Sequence, residues 1–308
     1  MTGLAWIGAR AQWFLALGVI AALVVPGPGA VLDGTVVIWV AVLFGLAMAR
    51  IDLGAVARRA IGPRRLLRNL GFLALLMAGT PALFWGLGTL AGLAPEHIEA
   101  LVYTSAAPPL GSATAFCLML GLDAAFALEL TVLGSFIAPV SLPVVARVLL
   151  GEAIALDVAE MMLRLGVVIG SATIGAILLR RIVGAHRINA HARVFDGIAS
   201  VILVLFLFPL FHGMPQLIAA MPAFALLTFV LAVLANLGVQ MASYPATRAM
   251  AGRETGGAAS LIWGNRNAAL TLSFLPEAPM IVLYIALYQF PMYFTPLVMR
   301  RVIGRSLT

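Results

Sequence analysis

The chain contains no lysine, a single cysteine and few charged residues for its length. Only 10% of its 308 residues are charged, and 63% are hydrophobic, whereas a soluble domain is about one quarter charged. This composition excludes an ordinary soluble globular domain, because one aqueous core could not bury so much apolar surface. The single cysteine, Cys117, excludes an internal disulfide and any metal site built from several cysteines. We therefore expect the chain to lie in a lipid bilayer.

The sequence also lacks the patterns of nucleic-acid binding and of catalysis. All 19 basic residues are arginines, and the formal net charge is +7. These arginines cluster in short segments between apolar runs, whereas a nucleic-acid surface needs one continuous basic face. The sequence contains no phosphate-binding loop, metal-ligand cluster or convergent Ser/His/Asp set. We therefore expect no nucleic-acid partner, no cofactor and no enzymatic activity.

Apolar runs separated by Pro/Gly-rich or charged segments predict about ten membrane-spanning helices, each of about 20 residues. The predicted spans are 11–26, 34–50, 67–91, 97–121, 123–147, 156–180, 192–212, 216–240, 247–274 and 278–300. The first run meets Pro26 and Pro28 without a cleavage site of small residues, so we interpret it as a retained span.

The arginines support this topology. If the N-terminus is inside, 16 of the 19 arginines fall in cytoplasmic stretches, while Arg147 and Arg164 lie toward the outside and Arg266 lies within a span. An excess of arginine in the short inner loops is typical of multi-pass proteins. The pattern predicts an inner (cell) membrane protein with both termini in the cytoplasm.

The ten predicted spans divide into two groups of five, residues 1–152 and 153–308. Because five is odd, the second group would enter the membrane from the opposite face, which is the geometry of an inverted repeat and is common in secondary transporters. Interrupted spans occur at matching places, the fourth and the ninth. We therefore predict an all-α fold of two inverted five-helix repeats.

The fourth span is interrupted by Pro108 and Pro109, followed closely by Gly111, Ser112 and Thr114. The two prolines remove two amide donors and prevent a straight helix. Irregular backbone inside a membrane must be buried in protein or line a wet cavity. The alternative interpretation is a simple proline kink stabilised by neighbouring helices.

The ninth span is interrupted by Gly264, Asn265, Arg266 and Asn267. An arginine near the centre of a span is unfavourable by about 2.5–3.5 kcal/mol on insertion scales and usually faces a partner or a cavity. Arg266 could bind a carboxylate or sulfonate substrate. The alternative interpretation is a structural arginine that forms a salt bridge or satisfies free carbonyls.

The other ionisable group that we expect to be buried is Glu129, in the fifth span, with Thr131 and Ser135 on nearby turns. Three interpretations are open: Glu129 pairs with Arg266, it is a proton-coupling site, or it reaches the cytoplasmic interface. One specific hypothesis is that Glu129 neutralises Arg266 or exchanges a proton with it during transport.

These motifs resemble those of the bile acid:sodium symporter family, which shares a superfamily with arsenite and auxin efflux carriers. The resemblance lies in Leu93–Pro95, in PPLGSAT at Pro108–Thr114, in LELT at Leu128–Thr131, and in WGNRNAAL at Trp263–Leu270. It implies a panel of spans 1, 2, 6 and 7, a core of spans 3–5 and 8–10, and fourth and ninth spans that unwind and cross. Substrate, an organic anion in that family, would lie between panel and core.

The chain departs from the family pattern at the sodium ligands. Where the family has a glutamate and a glutamine in the ninth span, this chain has Ile262 and Arg266, and the family's third-span glutamine falls near Leu76. Among the ligands that the resemblance implies, Thr131, Asn267 and Thr114 remain. Sodium prefers several hard oxygen ligands, so these three residues predict at most a reduced sodium site.

The sequence thus predicts a secondary active transporter that moves a small organic anion by alternating access, coupled to a sodium or proton gradient. The expected substrate-binding residues are Pro108, Pro109, Ser112, Asn265, Arg266 and Asn267, and the expected ion-coupling residues are Thr114, Glu129, Thr131 and Asn267. One alternative is a metalloid or auxin-like efflux carrier on the same fold. A more remote alternative is a membrane-embedded sensor or enzyme.

Overall fold

The computed structural model describes residues 3–25, 29–32, 34–60, 62–151, 157–275 and 278–304. It is 87% helical, and the described residues form no β-strand. The segment 26–28 and the junction 152–156 between the two predicted repeats lie outside the described residues.

The described residues form nine helices in the first half of the chain. They are α1 Gly3–Ala9, α2 Ala11–Val24, α3 Gly29–Leu32, α4 Val36–Ala49, α5 Leu53–Ala60, α6 Pro63–Leu90, α7 Pro95–Ala106, α8 Ala113–Met119 and α9 Ala124–Leu150. Six described helices follow in the second half. They are α10 Val158–Val183, α11 Ala185–Ala190, α12 Ala192–Leu210, α13 Met214–Ala220, α14 Pro222–Gly264 and α15 Pro279–Ile303.

Six of the described helices are long and apolar enough to cross a membrane, namely α6, α9, α10, α12, α14 and α15. The number becomes seven if α4 and α5, which are bent by 72° at their junction, form one span. This supports the all-α membrane protein that the composition predicts. Ten spans remain a prediction, because α2 has only 14 residues, the fourth predicted span is divided into α7 and α8, and α14 joins the eighth and ninth.

Proline and glycine set many of the helix boundaries. Proline is the first residue of α6, α7, α14 and α15, where its missing N–H would be unpaired in any case. Gly92 follows α6 with a φ of 66°, and Gly252 interrupts α14 with a φ of 77°, a conformation that glycine adopts without steric penalty. The predicted break between residues 240 and 247 is therefore wrong: the helix continues through this segment, and the turn occurs at Gly252.

Much of the helix packing falls in two groups, although α9 also packs on α10 between the groups and α1 packs on α12. The first group contains α2, α4, α10 and α12, with α4 packed on α10 and α12, and α2 packed on α12. The second group contains α6, α7, α9, α14 and α15, with α7 in contact with α6, α9 and α15, and α14 in contact with α15. The two broken segments of the chain, residues 107–112 and 265–267, occur in the second group.

Candidate functional site

The first break follows α7, which ends at Ala106 before Pro108 and Pro109. Neither proline can donate to the carbonyls of Thr104 and Ser105, four residues earlier, so the last turn of α7 loses helical hydrogen bonds. All of these residues are buried. The predicted interruption is thus a true end of the helix, not a kink within a continuous helix.

The second break follows Gly264, the last residue of α14. A Cβ atom on Gly264 would lie 2.1 Å from the Asn236 carbonyl oxygen, so the end of this helix approaches the 222–251 part of α14 more closely than any larger residue would allow. Asn265 leaves the helix in an extended conformation. The chain then re-forms as a 3₁₀ helix over Ala268–Ser273.

The two breaks pair with each other through their backbones. The Leu110 N–H donates to the Asn265 carbonyl oxygen at 2.9 Å, and the Asn267 N–H donates to the Pro108 carbonyl oxygen at 2.8 Å. These bonds form an isolated antiparallel bridge between Pro109 and Arg266. We call these paired segments, residues 107–110 and 264–267, the crossing. Backbone groups that the helices can no longer pair are partly satisfied in this way.

Arg266 lies at the centre of the crossing and is 3% exposed. Its guanidinium donates to three backbone carbonyl oxygens: Nε to Trp263 at 2.9 Å, Nη1 to Ala107 at 3.1 Å and Nη2 to Leu76 at 2.5 Å. The guanidinium group carries five N–H bonds, and three are used in these contacts. Arg266 therefore satisfies free carbonyls, as the structural interpretation predicts, and substrate binding by the same residue stays a prediction.

The Leu76 carbonyl is free because α6 contains one π-helical turn, Leu75–Gly79. Within this turn the Thr80 N–H bonds to the Leu75 carbonyl, five residues earlier. The next donor in that pattern would be Pro81, which has no N–H. The side chain of Arg266 supplies the missing donor.

The other two carbonyls are free because the helices end at them. Ala107 is already in an extended conformation, so its carbonyl has left the α7 ladder. The helical donor for Trp263 would be the Asn267 N–H, which instead bonds to Pro108. Arg266 thus joins three separate places at which helical hydrogen bonding fails.

No acidic side chain balances the charge of Arg266 among the described residues. The ion pairs among the described residues are Arg50–Asp196, Arg65–Glu129 and Arg164–Glu160, and none of them includes Arg266. A buried charge without a counter-charge is unfavourable even when its hydrogen bonds are made. The carbonyl dipoles offset part of this cost, and a net positive charge remains at the crossing.

Glu129 belongs to a different cluster. It is 1% exposed and binds Arg65 through two contacts, Nε to Oε2 at 2.8 Å and Nη2 to Oε1 at 2.7 Å. Asn69 Nδ2 also donates to Oε2 at 3.1 Å. The hypothesis that Glu129 neutralises Arg266 is therefore wrong, because both carboxylate oxygens of Glu129 are bound by Arg65. Arg65 is partly exposed, and both the proton-coupling and the cytoplasmic-interface interpretations of Glu129 stay predictions.

A small cavity adjoins Arg266. Its volume is about 10 Å³, which is about the space that a single water requires. Polar and aromatic side chains dominate its wall, which consists of Thr80, Phe84, Thr104, Ser105, Ala235, Trp263, Arg266 and Tyr288. Arg266 is the only one of the six expected substrate-binding residues in this wall.

The other expected substrate-binding residues have different places. Pro108, Pro109 and Asn265 are buried in the crossing, where Pro108 and Asn265 contribute backbone hydrogen bonds. Asn267 is half-buried, and its backbone N–H bonds to Pro108. Ser112 is exposed at the beginning of α8 and makes no capping hydrogen bond with its side chain.

Two of the expected ion-coupling residues share an unusual property. The hydroxyl oxygens of Thr114 and Thr131 are buried and have no hydrogen-bond partner. The carboxylate of Glu129, two residues before Thr131, is already bound by Arg65, and sodium binding at the two hydroxyls stays a prediction. No group of three or more His, Cys, Asp or Glu side chains that could hold a metal occurs in the described ranges.

A second polar cluster, formed by residues of α14 and α15, supports the crossing. Asn236 Nδ2 donates to the Gly264 carbonyl at 2.7 Å, and Gln240 Nε2 donates to Asn236 Oδ1 at 3.0 Å. Thr295 lies within hydrogen-bond distance of Asn236 and Asn265. Asn236 and Gln240, one turn apart in an apolar run, were the available signal, and the structure shows that they hold helices together.

Comparisons with known proteins supply no further identification: no protein-family model and no curated protein matches this sequence.

Proposed function

We propose that this chain is a secondary transporter that moves a small organic anion across the membrane by alternating access. The single observation that carries the proposal is Arg266, a buried guanidinium without an acidic partner in the described residues, placed where two broken helices meet. Inside a membrane protein, a positive charge of this kind favours an anionic ligand. Two of its N–H bonds are not used by the three carbonyls and are available to such a ligand.

The order of elements in the two halves supports the inverted repeat that this mechanism needs. In each half a long helix contains one π-helical turn, Leu75–Gly79 or Leu234–Gly238, and then reaches a glycine with positive φ, Gly92 or Gly252. A helix that ends at the crossing follows in each case, then a short helical segment, then a long final helix with two internal prolines. A repeat of this order is the arrangement in which transporters place their binding site near mid-membrane.

The two packed groups of helices support a division into panel and core. The group of α2, α4, α10 and α12 corresponds to the panel that the family resemblance implies, and the group around the crossing corresponds to the core. The cavity beside Arg266 has room for about one water, so an organic anion needs relative movement of the two groups before it can bind. Coupling to a sodium or proton gradient and a cytoplasmic location of both termini belong to the same proposal.

The test is ligand-dependent thermal unfolding of the purified protein in detergent, with sodium-free salts of acetate, benzoate and methanesulfonate as probes. Ligands that bind the folded state raise the Tm. We expect at least one probe to raise the Tm of the wild type, with a much smaller effect on Arg266→Gln. Arg147→Gln is the matched control, because Arg147 is exposed and donates to the Gly151 carbonyl.

A probe that stabilises the wild type would then be followed as radiolabelled uptake into proteoliposomes. Uptake that depends on Arg266 would support the transporter. An anion that stabilises wild type and Arg266→Gln equally, or no stabilisation and no uptake by any probe, would contradict the proposed site.

A further inference from the structure

The carbonyl oxygens around Arg266 form the kind of site that a cation occupies. Three carbonyls surround the Arg266 guanidinium, and their oxygen atoms lie 2.5 to 3.1 Å from its three nitrogen atoms. Each belongs to a different segment: the π-helical turn of α6, the end of α7 and the last turn of α14. Helix C-terminal ends carry partial negative charge, and unwound carbonyls coordinate cations in broken-helix transporters.

In this chain the positive charge between these carbonyls belongs to the Arg266 side chain and is therefore covalently attached to the protein. The guanidinium of Arg266 is always protonated and cannot dissociate, so the carbonyls are satisfied without any ion from solution. Prolines in the sequence account for two of the three free carbonyls: Pro81 has no N–H to donate to the Leu76 carbonyl, and Pro108 disfavours a helical conformation for Ala107, the residue before it. A dissociable cation bound to the same carbonyls would also have to approach the arginine charge.

We propose that the Arg266 guanidinium is a tethered cation that permanently fills a carbonyl site at the crossing, so that the protein folds and binds its anion without sodium. The tethered cation rests on the geometry alone, while its meaning for coupling rests on the proposed function. Of the two candidate coupling ions, sodium and the proton, this proposal leaves the proton.

The competing possibility within the same region is a sodium ion at the free hydroxyls of Thr114 and Thr131. That site would be independent of the three carbonyls. It predicts a rise in Tm with sodium in the wild type that disappears in Thr131→Val. The tethered cation predicts no sodium-specific rise in the wild type.

The experiment compares the Tm of wild type, Arg266→Ala and Arg147→Ala in choline chloride, sodium chloride and guanidinium chloride. Guanidinium is kept far below the molar concentrations at which it denatures proteins. We expect the wild type to have equal Tm in sodium and choline. Arg266→Ala should have a lower Tm that low guanidinium raises again in a saturable manner, because the free ion enters the vacated carbonyl site. Arg147→Ala should show no such recovery.

A sodium-specific increase in the wild-type Tm that Thr131→Val abolishes would overturn the proposal. An Arg266→Ala protein that folds but responds to guanidinium no more than Arg147→Ala would also overturn it. If Arg266→Ala does not fold, Arg266→Gln replaces it. The glutamine amide carries no charge and does not reach all three carbonyls, so this variant should again gain Tm with guanidinium.

The outcomes separate this inference from the proposed function. Arg266-dependent stabilisation by an organic anion together with a sodium response leaves the transporter proposal intact and removes the tethered cation. Recovery by guanidinium without any anion effect supports the tethered cation and contradicts the anion site.

Discussion

Arg65 at the start of α6 binds the carboxylate of Glu129 in α9 through two nitrogen atoms, Nε at 2.8 Å from Oε2 and Nη2 at 2.7 Å from Oε1. The carboxylate is buried, while the arginine is 41% exposed. The two partners therefore differ in what remains when the other is removed: an exposed arginine regains water, and a buried carboxylate does not.

This asymmetry predicts that Arg65→Ala destabilises the protein more than Glu129→Gln does. Loss of Arg65 leaves a buried charge with Asn69 as its hydrogen-bond donor, a change that is unfavourable by about 3–5 kcal/mol in buried pairs. The measurement is the free energy of unfolding of both variants and of the double variant. The double variant should be less destabilised than the sum of the two, and equal effects of the single variants would contradict the prediction.

Arg164→Ala provides the control for this pair. Arg164 binds Glu160 one turn away, and both side chains are more than 40% exposed. An exposed pair of this kind contributes about 0–1 kcal/mol, so the Tm of Arg164→Ala should remain close to that of the wild type.

We also predict that Gly264→Ala disrupts the crossing. The added methyl group would lie 2.1 Å from the Asn236 carbonyl oxygen and 2.6 Å from Gln240 Cγ, so the end of α14 must move away. Forcing extra volume into a packed core is unfavourable by about 1–3 kcal/mol, and here the displaced atom is backbone. Gly166→Ala is the matched control, because a Cβ atom there meets nothing within 4 Å. Similar Tm values for the two variants would show that the close approach does not exist.

Two buried threonines should respond in opposite ways to valine. Thr131 has a hydroxyl without a hydrogen-bond partner, whereas the Thr295 hydroxyl contacts Asn236, Gln240 and Asn265. Thr131→Val removes an unpaired polar atom and should leave the Tm unchanged or higher in sodium-free buffer. Thr295→Val should lower the stability by about 0.6 kcal/mol and by at most about 1.7 kcal/mol, the average and the maximum measured for hydrogen bonds between membrane helices. The reverse order would contradict this account of the polar cluster.

Arg266→Lys tests whether the shape of the cation matters as well as its charge. Lysine keeps one positive charge but lacks the planar fork that reaches three carbonyls. We expect a lower Tm than that of the wild type and weaker stabilisation by any anionic probe. Equal behaviour of the two proteins would indicate that charge alone holds the crossing.

The sequence predicted where the chain breaks because the responsible residues act locally. Pro108 and Pro109 remove N–H donors wherever they occur, and Gly264–Asn267 contains poor helix formers at the centre of an apolar run. The partners of the charged residues could not be predicted in this way. Glu129 has Arg65 rather than Arg266 as its partner because the beginning of α6 packs beside α9, and that relationship depends on tertiary structure.

The free carbonyl of Leu76 could be predicted only in part from the sequence. Its cause, Pro81, is visible in the sequence, but a proline five residues later matters only if the helix contains a π-helical turn. Likewise, residues 241–251 include Pro245 and Arg248 and therefore resemble a connection between two spans, yet the helix continues through them. The positive φ of Gly252 decides the position of the turn, and composition alone does not distinguish this glycine from its neighbours.

The unpaired charge of Arg266 has an electrical consequence. Each elementary charge that crosses the full membrane field exchanges about 2.3 kcal/mol per 100 mV with the membrane potential. When the crossing is empty it carries one positive charge, and a bound monovalent anion cancels that charge. If the chain transports a monovalent anion as proposed, the return of the empty carrier is the voltage-sensitive half of the cycle, and the loaded half is electrically silent.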